Sequence, residues 1–240
     1  MDKLKEAAVS FEKLLDTEYK IIVGRKNKLE NINIKFDKTH FVHLSGLHKL
    51  KDLSDIRTVD REKIFDKIIN DEVTQQYIEK SIYYNESKNR INSLAKIESL
   101  IDTNELIFKY ISKFNKTSKI EAEYLLSVKD NCQEIYVFLD KEKNTDFHFC
   151  RSFFPKDKKD YTAKQPHCTL LYKEKISLDK REIQFNKLYS YKTISEKEYN
   201  RLENSDFDID VLCHDKDKID IRYMRKDEIH IRKLINSSND

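Results

Sequence analysis

"QEIYVFLDKEKNTDFHFCRSFF", residues 133–154, sets two runs of β-branched and aromatic residues on either side of the polar connector "DKEKNTD". Strand, short connection, strand is the reading such alternation supports. The same pattern extends both ways, with "NELIFKYI" and "IEAEYLLSV" before it and "PHCTLLYKEKI" after it. Sequential strands on short connectors predict an antiparallel meander from about residue 104 to 176.

Upstream the period changes. Leu4, Ala7, Ala8, Phe11, Leu14 and Leu15 repeat at helical spacing, and "YKIIVG" and "NINIKF" predict a hairpin over residues 19–36. From Thr39, a candidate N-cap, to about Asp102 the pattern is helical, ending in the stripe Ile91, Leu94, Ile97, Leu100 and Ile101. Helices first and strands afterwards predict an α+β fold, N-terminal helices packed on an antiparallel sheet over residues 1–176. Residues 177–240 read as a C-terminal extension, whose last segment "IDIRYMRKDEIHIRKLI" could form two strands.

Composition narrows the function classes. Charged residues reach 37% and hydrophobic ones 38%, so the surface is wet and one principal core is expected. No apolar run approaches the roughly 18 residues of a membrane span, and the charged N-terminus lacks a signal peptide's apolar stretch, which predicts a cytosolic protein without a membrane partner. The 46 basic residues nearly cancel the 43 acidic ones, so attraction to nucleic acid must come from local patches. Cys132, Cys150, Cys168 and Cys213 are scattered without zinc spacing and read as reduced structural thiols. With Gly24 and Gly46 as the only glycines, neither a Walker loop nor a dinucleotide fingerprint can be written. "DFDID", residues 206–210, could hold a divalent ion or form a solvated edge strand.

Two segments concentrate titratable chemistry. In "FVHLSGLHKL", residues 41–50, a helical wheel from His40 puts Phe41, Leu44, Leu47 and Leu50 on one arc with His40, His43 and His48, beside Lys49 and Lys51. Such histidines are either core-edge rings bonded to carbonyls or groups poised for proton transfer near neutral pH. Gly46 weakens the helical placement, and as a point of close backbone approach it would let the histidines flank a substrate. In "FHFCRSFFPKDKKDYTAKQPHCTLLYKEK", residues 147–175, an uninterrupted strand would put Phe147, Phe149, Arg151 and Phe153 on one face and His148, Cys150, Ser152 and Phe154 on the other. Arg151, Ser152, Tyr161, Thr162 and Gln165 could hold and orient a phosphodiester, and a lysine-rich loop between aromatics suits RNA. The alternative is a sheet strand followed by a solvated loop.

Together "FVHLSGLHKLKDL", "RINSLAKIESL", "IEAEYLLSV" and "CRSFFPKDKKDYTAKQPHCTLLYKEKI" resemble the phage- and mobile-element-associated barnase/EndoU/colicin/RelE-like nuclease domains, over about residues 18–176. The resemblance implies a metal-independent endoribonuclease that needs no cofactor, acting as a toxin or phage-related effector on an RNA substrate and held in check by an inhibitory or regulatory protein partner. Carried onto this chain, it makes His43 and His48 candidate base and acid and Arg151 and Tyr161 their catalytic partners. Lys49, Lys51, Ser152, Thr162 and Gln165 become candidate substrate contacts. A non-catalytic binding module that reuses the fold is the alternative.

Overall fold

The computed structural model describes residues 2–26, 28–104, 106–115, 118–130, 133–180, 182–188, 191–194, 207–215 and 218–225. Helix α1 (Lys3–Leu15) starts at Asp2, whose side chain accepts from the Lys5 amide at 2.8 Å, and buries the predicted stripe of Leu4, Ala7, Ala8, Phe11 and Leu14. The hairpin β1 (Thr17–Arg25) and β2 (Lys28–Ile34) follows. Then come α2 (Lys38–Leu44), a single 3-10 turn over Leu47–Lys49, α3 (Ser54–Arg57), α4 (Arg61–Ile69), α5 (Gln75–Ile78), α6 (Asn85–Leu94) and α7 (Ile97–Thr103). The meander is β3 (Leu106–Lys109), β4 (Tyr124–Asp130), β5 (Gln133–Lys141) and β6 (Phe147–Pro155), and β7 (His167–Ser177) comes after it.

Outside the segment around Gly46 these elements lie within the runs that the periodicity picks out, but their assembly differs from the expected open antiparallel sheet. The strands close into a seven-stranded barrel in the order β1-β2-β6-β5-β4-β3-β7, with β7 returning to β1. One seam is parallel, where β2 meets β6 through Asn33 opposite Phe147 and Ile34 opposite His148, so the sheet is mixed. β7 makes the closure. Its first residues pair with β3, as Cys168 opposite Ile107, and from Thr169 to Ser177 it runs antiparallel to β1. The reason is non-local: the early hairpin, which reads as a separate unit, supplies the two strands that bridge the ends of the meander.

β8 (Glu182–Leu188) extends the sheet beyond β7, and β9 (Tyr191–Ile194), β10 (Phe207–Asp215) and β11 (Lys218–Arg225) form a separate three-stranded sheet in the order β10-β11-β9. β11 is the first of the two strands expected in the last segment; the second lies outside the described residues. Asp208 and Asp210 of "DFDID" lie on β10.

Alternate strand residues fill the barrel, including Ile21 and Val23, Ile32, Leu126, Val137, Leu139 and Cys168, and the apolar faces of the helices join the same cluster. Phe11 of α1 ties it together, with its ring 5.6 to 6.1 Å from those of Phe36, Phe41 and Phe65. Cys150 is fully buried and its thiol is pushed up to about 12 by burial, as a structural thiol should be. On β6 the pairing register shifts: Leu139 faces Cys150 while Phe138 faces Ser152, leaving Arg151 as the extra residue of a β-bulge. The bulge overturns the simple alternation. Cys150 and Phe153 both join the inner core, while Phe154 packs outward with Tyr136, Phe138 and Tyr161.

A buried lysine fastens the helices to the barrel. Lys173 of β7 is fully buried, and its ammonium donates to the carbonyls of Ile101, at 2.7 Å, and Asn104 at the C-terminal end of α7. A cation there satisfies carbonyls that the helix itself cannot. Replacing it with the apolar Lys173→Met leaves those acceptors without their donor, with an expected loss of about 2–4 kcal/mol read from the urea unfolding midpoint.

Candidate functional site

The histidine segment folds as a short helix and a turn. Asp37 caps α2, its carboxylate accepting from the amide and hydroxyl of Thr39, so the cap lies two residues before the one the sequence suggests. The helix ends at Leu44 because Gly46 adopts φ +81, a left-handed conformation that glycine takes without strain. A Cβ on Gly46 would sit 3.0 Å from Arg90 Cδ and 3.2 Å from Ser87 Oγ on α6, and that hydroxyl donates to the Gly46 carbonyl at 2.8 Å. The glycine therefore does mark a close approach, between this turn and α6. The single helix drawn through residues 39–51 is replaced by helix, turn and 3-10 turn.

That turn folds His48 back onto His43. Their rings stack with centroids 4.4 Å apart and planes 17° apart. His48 Nδ1 lies 3.4 Å from the Val42 carbonyl oxygen, so with its proton on Nδ1 the ring is oriented and Nε2 keeps a free lone pair. His40 stacks separately on Phe149 of β6, at 5.2 Å.

Three arginines lie near enough for their charge to act on His43. Arg90 of α6 lies 5.1 Å over the Phe154 ring, and Arg151 projects from the bulge with its guanidinium 3.7 Å from Asp140 and 6.0 Å from the Phe149 ring. Arg61 opens α4. Among the described residues neither Arg61 nor Arg90 has a carboxylate at ion-pair distance. Burial pushes the His43 pKa down to about 4, helped by the charges of His48, Arg90, Arg61 and Arg151. His48 is also lowered, first by desolvation, then by Arg90, Lys49 and Arg61, while its bond to the Val42 carbonyl opposes the shift. Both rings are neutral at pH 7, with positive charge nearby. Such a setting suits an oxyanion, and an arriving anion would raise both imidazole pKa values.

The other predicted residues fall in three places. Lys51 is exposed, and Lys49 is held 3.5 Å from Glu86. Ser152 is buried on β6 beside Arg151, on the face that carries Phe138. Tyr161 packs its ring 5.4 to 5.5 Å from Tyr136, Phe138 and Phe154, close enough to Arg90 to act on its charge. Thr162 bonds within the loop, donating to Asp160 through its amide and hydroxyl, and the Gln165 amide ties the loop to the chain after β3 by bracketing the backbone N–H and carbonyl of Ile111. The structure thus stacks His48 on His43, sets Arg151 against Asp140 and the Phe149 ring, packs Tyr161 among Tyr136, Phe138 and Phe154, and gives Thr162 and Gln165 positions that shape the chain around Tyr161.

Arg61 and Arg90 were not among the residues that the sequence singles out. Arg90 opens "RINSLAKIESL", a block read for its helical stripe and not for its arginine, and the turn at Gly46 packs against it. Among the described residues no three His, Cys, Asp or Glu side chains group as a metal ion would need. Beside His48 opens a cavity of about 520 Å³ that Lys51, Arg57 and Arg61 also line.

A depressed histidine pKa links folding to pH. Between its folded value of about 4 and the unfolded value of about 6.5, the unfolded chain holds the extra proton, so stability falls as pH falls through that window. Thermal unfolding followed from pH 7 to 4 should show the midpoint dropping, and His43→Gln, which cannot titrate, should flatten the drop relative to wild type.

A scan against protein-family models matches residues 3–192 to the family described as phage-Barnase-EndoU-ColicinE5/D-RelE like nuclease4. No curated protein and no solved structure matches the chain. The matched region includes α1 to α7, the whole barrel and β8, and so every residue of the histidine and arginine cluster. With a match over most of its length, the chain belongs to the phage-associated barnase/EndoU/colicin E5/D/RelE-like nuclease family.

Proposed function

We propose that this nuclease cuts RNA, without a metal ion, by attack of the ribose 2′-hydroxyl on the adjacent phosphorus. The observation that carries the reading is the stacked pair His43 and His48, neutral when free, with the charges of Arg61 and Arg90 acting on both rings and that of Arg151 on His43. Two imidazoles 4.4 Å apart resist double protonation, so the pair holds at most one proton easily. General acid–base cleavage needs that state, with one ring free to take a proton and one ready to give it.

The environments assign the roles. His43, the more crowded by positive charge, stays neutral and takes the proton of the 2′-hydroxyl. His48, whose Nδ1–H bond to Val42 favours its cationic form, protonates the departing 5′-oxygen as the P–O5′ bond breaks. The products are a 2′,3′-cyclic phosphate and a 5′-hydroxyl. Arg61, Arg90 and Arg151 hold the non-bridging oxygens as charge builds on them, where preorganised donors contribute most. Tyr161 offers a ring or hydroxyl at the edge of the same site, Lys49 and Lys51 attract the phosphate chain, and Ser152, Thr162 and Gln165 support the strand and loop that present Arg151 and Tyr161. In a cell such an activity is that of a toxin or phage-related effector, working in the cytoplasm and restrained by a protein partner.

Purified protein incubated with total RNA should leave cyclic phosphate ends equally well in EDTA and in magnesium. His43→Ala should lower the rate by about 10²- to 10⁴-fold, with the melting temperature measured alongside to exclude unfolding. Cleavage that EDTA abolishes, or that survives His43→Ala unchanged, defeats the mechanism. RNA held but never cut would identify a binding module on the same fold.

A further inference from the structure

The two stacked imidazoles stand on different elements. His43 lies in the last turn of α2, while His48 lies past Gly46 on a single 3-10 turn. That turn has bonds of its own, from the Lys49 amide to the Gly46 carbonyl and from the Leu50 amide to the Leu47 carbonyl, both at 3.0 Å. They fix its shape, not where it sits. What ties His48 to α2 directly is weak: the ring stack itself and a long bond of 3.4 Å from Nδ1 to the Val42 carbonyl.

The stronger hold comes from α6 and the chain leading into it. The Ser87 hydroxyl donates to the Gly46 carbonyl at 2.8 Å, Lys49 lies 3.5 Å from Glu86, and Asp52 accepts from the Ser81 hydroxyl at 2.5 Å and the Ile82 amide at 2.9 Å. These contacts differ in weight. The Glu86 side chain is 53% exposed, and a solvated ion pair of that kind contributes little. Asp52 holds the far end, four residues beyond His48. Ser87 is fully buried and grips the carbonyl on which the 3-10 turn begins, where water cannot take its place. The approach is so close that a Cβ on Gly46 would lie 3.2 Å from the Ser87 oxygen and 3.0 Å from Cδ of Arg90, one helical turn further along α6.

We infer that Ser87 is a positioning residue: through the Gly46 carbonyl it keeps the turn that carries His48 docked on α6, and so keeps the two imidazoles stacked. The inference rests on the nuclease reading above for what the pair does. Without that hydroxyl the turn is free to lift from α6, and two influences that hold the imidazoles neutral, burial and the charge of Arg90, relax together. Arg61 of α4 and, for His43, Arg151 of β6 act in the same direction without depending on the bond, while Lys49 travels with the turn.

The test uses the full chain and Ser87→Ala. NMR titration of the imidazole Cε1–H resonances reads the pair with no substrate present. In wild type His43 should titrate at about 4, with both resonances shifted upfield by the neighbouring ring. In Ser87→Ala the His43 titration should move up toward about 6.5 and the upfield shift should shrink. Cleavage of RNA should lose about ten- to a hundredfold in kcat with little change in KM, and the acid limb of its pH profile should move up with the base. Ser87→Cys, a much weaker donor of nearly the same shape, should fall between wild type and alanine in each readout, and it covers the case that the alanine variant does not fold. Titrations that stay where they were overturn the inference, and a lower melting temperature alone would then mark Ser87 as a packing residue. Moved titrations in a protein whose wild type cuts no RNA keep Ser87 as the residue that positions the pair and overturn the RNA-cutting reading instead.

Discussion

The whole arrangement depends on β7 pairing along both of its edges. Closing a barrel requires one strand to meet the far end of the sheet, and β7 does so with β3 at its start and β1 along the rest. The closed ring leaves little room for the polar sequence "YKEKI", yet Lys173, Glu174 and Lys175 are all buried. Burying charge is unfavourable unless every group has partners. Lys175 reaches Glu98 at 2.7 Å and Asp102 at 3.2 Å on α7, and Glu174 accepts from the Tyr172 hydroxyl at 2.9 Å. The charged core of β7 is thus the joint between barrel and helices, fixing α7 and, through α6, the platform on which the histidines rest.

From that joint the site follows by two local irregularities. Gly46 reverses the chain so that His48 lands on His43, and the bulge at Arg151 turns a guanidinium out of the strand beside Asp140 and the Phe149 ring, on which His40 stacks. A regular helix and a regular strand would have kept these groups apart. Without a counter-charge, the positive groups near the pair favour neutral imidazoles. A phosphodiester bound there, as proposed, would relieve that repulsion most where the negative charge of the transition state is greatest.

Local elements were legible in the sequence because period 2 and period 3.6 are properties of short windows. The α1 stripe, the early hairpin and the strands from β3 to β7 all follow from such windows. Which strands become neighbours is not a local property. Nothing in "NINIKF" announces a parallel partner in "FHFCRSFF", and so an open antiparallel sheet was the natural expectation where a closed, mixed barrel forms. The same limit applies to the site. His43, His48 and Arg151 stand out by residue type within conspicuous segments, whereas Arg61 and Arg90 gain their meaning only from a turn and a helix contact.

Closure also decides which face can do chemistry. In an open sheet with helices on one side, the other side is available as a palm for substrate. Here the inner face is filled, and the charges at its polar end are paired with one another, although His148 Nδ1 is buried without a partner. Glu30 accepts from Arg25 at 2.9 Å, Lys109 at 3.2 Å and Tyr124 at 2.5 Å, while Glu123 takes Lys109 at 2.7 Å and His148 at 3.1 Å. His148 is a third histidine with a carboxylate partner, and by residue type alone it is as good a proton-transfer candidate as His43. Its ring is 3% exposed and points into the barrel, so no substrate reaches it. The cations there are neutralised in pairs, whereas Arg61 and Arg90 outside have no such acids among the described residues. A closed barrel therefore leaves unpaired arginine charge outside it, on the helices that carry and adjoin His43 and His48.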